Sequence, residues 1–337
     1  LILRLFGITI TAGYVHVWFT LICYALLFAL LPWFADKFGV GRQAGFLGGL
    51  AGALVMAWPE HGEALTALVL GLLLVAFLHR WTTNRNSTTA GISKSSPFLL
   101  GIVFGVAFHL QPVLLLVLLG CLTFELWWYR GRRRWRHPAL ILLGVLLACI
   151  PWGYRNYVAF NELFFIRSNL GLELRMGNHD GAAATMEVMD ARGEHPHPRS
   201  HIVEARLVQK IGEPEYMRAA LAEALEWIRT NPLEFLRLTV ARVLNLWFGP
   251  LHRPKAALGT LMLTVLAFLG AWRTLSEMKV PQQAALLIPL ATYPLIYYVV
   301  SYMPRYRIPI DWILFMLASA TVWRWISAPT KNAVVSG

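Results

Sequence analysis

The sequence predicts an all-α polytopic membrane protein, and three observations carry that prediction: composition, the recurrence of apolar runs, and the placement of the basic residues. Of 337 residues, 57% are hydrophobic and only 14% charged, with a positive mean hydropathy. Apolar runs approaching the roughly 20 residues that cross a bilayer as a helix recur along most of the chain. Outside the hydrophilic stretch 154–255, Lys and Arg gather at alternate ends of those runs. The positive-inside rule makes those ends cytoplasmic.

Taken in order, the apolar runs predict about nine membrane segments, at 14–34, 43–58, 62–79, 97–110, 111–128, 138–153, 256–272, 282–300 and 309–326. The pairs on either side of Pro59 and of Pro112 read either as two short spans or as one kinked or re-entrant element. The cytoplasmic ends are marked by Lys37 and Arg42, by Arg80, Arg85 and Lys94, by the five arginines of 130–136, by Arg273 and Lys279, and by Arg324 and Lys331. The chain thus divides into a transmembrane region 1–153, an outer loop domain 154–255 and a carboxy-terminal transmembrane region 256–337. Residues 80–96, rich in Thr, Ser and Asn, read as a flexible cytoplasmic linker.

The outer stretch holds 12 of the 18 acidic residues and 13 of the 30 Lys and Arg, so it is nearly neutral while the rest carries almost all of the net +12. That basicity reports membrane orientation and anionic headgroups, and nucleic acid is not an expected partner. Within the outer stretch, apolar positions at helical spacing predict a helix over 213–230. Asn231-Pro232 opens a second, amphipathic one through Leu233, Phe235, Leu236, Leu238 and Val240 toward Trp247, lying along the membrane surface. The first half carries polar side chains between turn-forming glycines: Ile150-Pro-Trp-Gly-Tyr-Arg-Asn156, then Arg167-Ser-Asn-Leu-Gly171, then Arg175-Met-Gly-Asn-His-Asp-Gly181. Arg155, Asn156, Arg167, Asn169, Asn178, His179 and Asp180 are therefore candidates for a sugar or lipid cavity, although Asn-His-Asp-Gly is also ordinary turn chemistry. His109 and Gln111, flanking the Pro112 break, either line such a cavity or cap a helix turn.

Arg305 and Arg307, in Ser301-Tyr-Met-Pro-Arg-Tyr-Arg-Ile-Pro-Ile310, break the charge pattern, because they fall at the outer end of a span in a tight connection between two prolines. Snorkelling to headgroups is one reading. The other is that two guanidinium forks held at the membrane edge bind the phosphate of a lipid-linked substrate.

Cys23, Cys121 and Cys149 all fall inside predicted spans, as small apolar residues without disulfide or zinc spacing. Glu194, His195, His197 and His201 are dense enough in ligands to raise a metal site, but the interleaved Pro196 and Pro198 favour a solvated loop. The sequence requires no cofactor; a divalent metal is the one it leaves room for.

The order Pro-Trp-x-x-Arg-Asn at the end of a span, an Arg-Ser-Asn-x-Gly and Gly-Asn stretch, an Asn-Pro-x-x-Phe amphipathic helix and an Arg-Tyr-Arg-x-Pro element before the last span resembles bacterial family 39 glycosyltransferases. These are related to protein O-mannosyltransferases and aminoarabinose transferases. The resemblance covers essentially all of the chain and implies a GT-C membrane fold, a polyprenyl-phosphate sugar donor and an acceptor protein or glycolipid met at the periplasmic face of the bacterial inner membrane. It places Arg305 and Arg307 near the donor phosphate and marks Glu63 and Asp311 as weak candidates for a catalytic carboxylate. The family's usual catalytic Asp, in the first outer loop, has no counterpart, and an amino-terminal truncation is the expectation that follows. A transporter or flippase of a lipid-linked anionic substrate is the competing class, although no internal repeat supports it. A non-catalytic scaffold would leave the two arginines unexplained.

Overall fold

A computed structural model describes residues 12–55, 63–83, 95–130, 133–162, 164, 169–194 and 197–327. Among these the chain is all-helical apart from one isolated bridge between Thr185 and Tyr302. Fifteen α-helices follow in order: α1 Ala12–Ala29, α2 Leu31–Phe38, α3 Arg42–Val55, α4 Glu63–Thr83, α5 Ser95–Leu110, α6 Leu114–Trp128, α7 Arg133–Phe160, α8 Leu170–Gly177, α9 Met186–Arg192, α10 Ile202–Ile211, α11 Glu213–Thr230, α12 Pro232–Phe248, α13 Pro254–Leu275, α14 Val280–Thr292 and α15 Ile308–Ile326. Two 3-10 turns, Tyr293–Tyr298 and Pro304–Arg307, lie between the last two.

Three helices, α4, α7 and α13, are individually long and apolar enough to cross a bilayer, and α1 with α2 makes a fourth if the bent pair is one span. This is an all-α membrane protein. Helical structure occurs at all nine predicted places, but nine spans are not shown, and the segments differ from the expected ones in several details, mostly at proline. The 14–34 segment bends by 42° at the α1–α2 break, with Pro32 in the first turn of α2, where its missing N–H costs least. The 111–128 segment becomes helical only at Leu114, after the turn at Pro112. The 282–300 segment is α-helical to Thr292 and then tightens into a 3-10 turn that contains Pro294. The 138–153 segment extends to Arg133–Phe160 and contains Pro138 and Pro151. The linker expected over 80–96 starts later than predicted, since α4 runs to Thr83 with Arg80 and Trp81 buried.

The helices sort into two compact units. The first comprises Leu1–Leu78, Gly259–Leu286 and Ile308–Gly337. Its centre is α15, buried on every side from Ile308 to Thr321, as a helix apolar all round should be. Trp312 packs against Phe34 at 5.2 Å and Phe38 at 5.9 Å between ring centroids, and Phe315 meets Phe28 edge-on at 6.2 Å. Glycines on α3 allow that density: a Cβ at Gly45 would stand 2.6 Å from the Cβ of Ala35, and one at Gly49 would stand 2.5 Å from the Phe28 carbonyl oxygen. Gly39, in the left-handed region at φ 81°, ends α2 and returns its N–H to Ala35 and Asp36.

The second unit comprises His79–Leu258 and Leu287–Arg307. Its apolar part is built on α5 against α7, where Gly105 approaches Ala148 closely enough that an added Cβ would sit 2.6 Å from the alanine methyl. Glu125 of α6 is fully buried and takes hydrogen bonds from Arg80 at 3.3 Å and from the Trp81 indole at 3.2 Å. The hydrophilic stretch 154–255 forms a helical layer in the same unit. Its first half is not only turns, as α8, α9 and α10 are all helical. Its core is Leu172, Met176, Met186, Met189, Tyr216 and Leu238, with Trp227 and Met303 packed alongside.

Gly105→Val should therefore overpack the α5–α7 contact and cost about 1–3 kcal/mol, lowering the unfolding midpoint in detergent. Gly259→Ala, in a helical position with nothing within 4 Å, should be neutral or stabilising by up to about 1 kcal/mol. Equal midpoints for the two variants would contradict close α5–α7 packing.

Candidate functional site

The second unit contains a pocket of about 320 Å³ lined by Arg175, Asn178, His179, Asp180, Glu223 and Trp227. Arg175, at the last turn of α8, and the turn that follows supply four of these side chains. Gly181, at φ 85°, lets the chain reverse after Asp180. Glu223 and Trp227 come from α11, four residues apart and so on one helical face. The indole Nε1 of Trp227 donates to Asp180 Oδ1 at 2.8 Å, which joins α11 to the turn.

Arg175 is held on two sides. Its Nη1 and Nη2 make a bidentate pair with Glu204 of α10 at 3.0 and 3.1 Å, and its Nε reaches Glu223 at 2.8 Å. Tyr216 donates its hydroxyl to the same Glu204 at 2.5 Å. Burial opposes ionisation of Glu204, but hydrogen bonds from Arg175 and Tyr216 outweigh it and hold the carboxyl below the ordinary carboxylate value. Burial and the bond to Glu204 together push the Tyr216 phenol up to about 12.

Beneath the pocket lies a second arginine that sequence reasoning did not single out. Arg242 of α12 is completely buried. Its Nη1 donates to Asn178 Oδ1 at 3.2 Å and to the Val299 carbonyl at 3.1 Å, and its Nη2 donates to the Gly177 carbonyl. Asn178 in turn donates to Leu174 and Val299 at 2.7 and 2.9 Å. Burial pushes the Arg242 guanidinium down to about 10, still cationic near neutral pH. The segment after Val299 is tied to the same layer, since Tyr302 N donates to Ala184 O at 2.8 Å and Met186 N to Tyr302 O at 3.1 Å.

That segment carries Arg305 and Arg307. Arg307 is buried, and its Nη1 donates to the carbonyls of Leu246 and Trp247 at 3.2 Å each, where α12 ends and carbonyl oxygens lack helical partners. Arg305 is partly exposed and lies 5.7 Å from the Tyr306 ring centroid. Tyr306 stacks on Tyr297, whose hydroxyl accepts from Gln111 at 2.9 Å.

Of the other residues expected at a site, His109 is bonded to the Gly105 carbonyl through Nδ1 at 2.8 Å and meets the Trp152 ring edge-on. Arg155 lies over Trp152 and Phe160 and donates to Asn156, while the buried Asn156 donates to Phe164 O. Asn169 donates to Glu173, and Arg167 lies outside the described residues. Asn178, His179 and Asp180 are thus brought together in the pocket. In the first unit, Glu63 and Asp311 open α4 and α15, and both act electrostatically on the buried Tyr24. Among the described residues no group of three His, Cys, Asp or Glu side chains is arranged to hold a metal ion, and His195 lies outside them.

Glu223, Trp227, Glu204 and Arg242 were not among the expected site residues. The available signal was the pair Glu223 and Trp227 at helical spacing on a predicted helix; nothing local marks Arg242. No protein-family model, curated protein or solved structure matches the chain.

Because the folded-state pKa of Glu204 is depressed, its contribution to stability is complete above the unfolded carboxylate value and is lost as pH falls through the folded one. Wild type should therefore unfold at higher temperature than Glu204→Gln at neutral pH, and the gap should close progressively in acid. A gap independent of pH would mean that ionised Glu204 does not hold Arg175.

Proposed function

We propose that this protein is a membrane glycosyltransferase that takes a sugar from a polyprenyl-phosphate donor and transfers it to an acceptor protein or glycolipid, on the face of the membrane that carries residues 154–255. In this reading the membrane is the bacterial inner membrane, the face is periplasmic, and the helices form a GT-C-like bundle. The observation that carries it is the bracing, within one unit, of a pocket suited to sugar against the segment that bears Arg305 and Arg307, through the buried Arg242.

The pocket offers what a pyranose needs. An indole covers apolar C–H faces, and carboxylates, an amide and an imidazole meet hydroxyl groups. A glycosyl phosphate already has a good leaving group, so the protein must hold the phosphate and stabilise its charge as the glycosidic bond breaks. Arg305 is assigned to that phosphate, and Arg307 to positioning the turn through its bonds to the end of α12. Glu63 and Asp311 are the acidic candidates for deprotonating an acceptor.

The competing class, a transporter of a lipid-linked anion, is favoured by one observation, the buried Arg80–Glu125 pair among apolar helices. The two readings separate in one experiment: purified protein in detergent, with donor lipid and acceptor, releases free polyprenyl phosphate only if it is a transferase.

Two outcomes are expected. Arg305→Ala should weaken binding of a polyprenyl-phosphate sugar by about 1.5–3 kcal/mol, with Arg305→Lys restoring only part because it lacks the planar fork; wild-type affinity in the alanine variant would remove the phosphate assignment. In whole cells, a cysteine placed at Asp190 should react with an impermeant thiol reagent from outside, whereas one placed at Arg134 should react only after the membrane is opened. The reverse pattern would invert the topology on which the proposal depends.

A further inference from the structure

We propose that α12 is an interfacial helix whose exposed apolar face lies in the lipid leaflet that α13 enters, so that the bilayer itself is the partner covering this face. Along α12, Leu233, Leu236, Val240, Leu244 and Phe248 are 82, 57, 50, 49 and 37% exposed. Their spacing, three residues and then four each time, puts them on one side of the helix. Leu238, Arg242 and Leu246, also four apart, are buried on the opposite side. The ion pair of Arg237 with Glu234 stands at the edge of the apolar face, where lipid headgroups meet an interfacial helix.

Water does not suit this face. Neighbouring α11, in the same unit, shows how a water-facing helix of this protein is built, since its exposed side carries the ion pairs Arg218–Glu215 and Arg229–Glu226. On α12 large aliphatic side chains and a phenylalanine take those places. The chain itself indicates what covers them. Residues 249–253 alone separate α12 from α13, a connection that reaches at most about 22 Å and is shortened by a turn in which Arg253 N donates to Pro250 O at 3.0 Å. α13 is long and apolar enough to cross a bilayer, and it exposes Leu258, Met262, Val265, Leu269 and Trp272 at helical spacing. The end of α12 is therefore tethered where the chain enters lipid, and Leu251, 88% exposed in the connection, carries the run of exposed apolar residues from one helix to the next.

The buried side of the same helix holds Arg242, which donates to Asn178 of the pocket. A helix with its side chains is about 10–12 Å across, so a pocket floor built on α12 stands about that far above the acyl chains. A ligand attached to a lipid reaches that height with its polar end while its tail stays in the leaflet. The seating of α12 does not depend on what that ligand is.

The test uses the full chain in lipid nanodiscs, with the buried Cys23, Cys121 and Cys149 replaced by alanine and a single nitroxide label on a cysteine placed at Leu236, Val240 or Leu244. Power saturation compares collisions with oxygen, which concentrates in lipid, and with a water-soluble nickel chelate. Labels at all three positions should favour oxygen over nickel severalfold more than a label at Arg229 of α11, and should approach a label at Met262 of α13. Nickel contact as high as at Arg229 would put the face in water and overturn the proposal. Loss of contact with both reagents would overturn it too: the cover is then a second copy if dipolar broadening disappears on dilution with unlabelled protein, and another protein segment if there is no broadening. A photoreactive benzophenone side chain at Val240, in the chain that keeps its cysteines, checks the result without the alanine replacements. Lipid adducts are expected, whereas adducts to protein alone, or none, would sink the assignment.

Discussion

The buried guanidinium of Arg242 is the constraint on which the second unit depends. A charge this deep is costly unless it is hydrogen-bonded, and here both Nη nitrogens donate, to the Gly177 and Val299 carbonyls and to the Asn178 amide oxygen, while the buried Nε has no hydrogen-bond partner. These groups belong to two separated parts of the chain: the end of α8 with the turn that begins the pocket, and the segment leading to Arg305. One side chain from α12 therefore fixes the floor of the pocket and the approach of the arginine-bearing segment together. A substitution that removes it takes a donor from the Gly177 carbonyl and the Asn178 amide oxygen, and leaves the Val299 carbonyl with the bond from Asn178 alone.

The rest of the layer is organised around that centre by the same logic of satisfaction. Arg307 supplies donors to carbonyls that the end of α12 cannot bond internally. Arg175 is neutralised by Glu204 and Glu223, so it stiffens the pocket wall and presents little net positive charge to a ligand. In the apolar parts of the chain, van der Waals contact takes over from hydrogen bonding. Glycines on α3 and α5 bring backbones close where lipid-like surroundings offer no hydrophobic gain between helices.

Much of the local structure could be read in the chain. The 3.6-residue spacing over 213–230 and the Asn231-Pro232 start of the next helix appear in the structure as α11 and α12 with those boundaries. Asn178, His179 and Asp180, picked out as polar groups around glycine, do line one pocket. The misses have identifiable causes. Pro32 and Pro294 bend or shorten segments that hydropathy averages smooth into continuous spans. Arg80 looked like one more cytoplasmic charge beside a linker, but its partner Glu125 lies 45 residues away.

By itself, the sequence determined the all-α class, the positions of the apolar helices and the amphipathic character of the helices in 154–255, because hydrophobic periodicity, proline and charge act over a few neighbouring residues. It could not decide which arginine is buried, since Arg242 sits in an ordinary amphipathic pattern and its bonds reach across 57 to 65 residues. It could not decide that Trp227 would meet Asp180 across 47 residues and close a pocket over His179. Those pairings depend on which helix faces meet, and only tertiary packing, where each buried polar atom must find a partner, sets them.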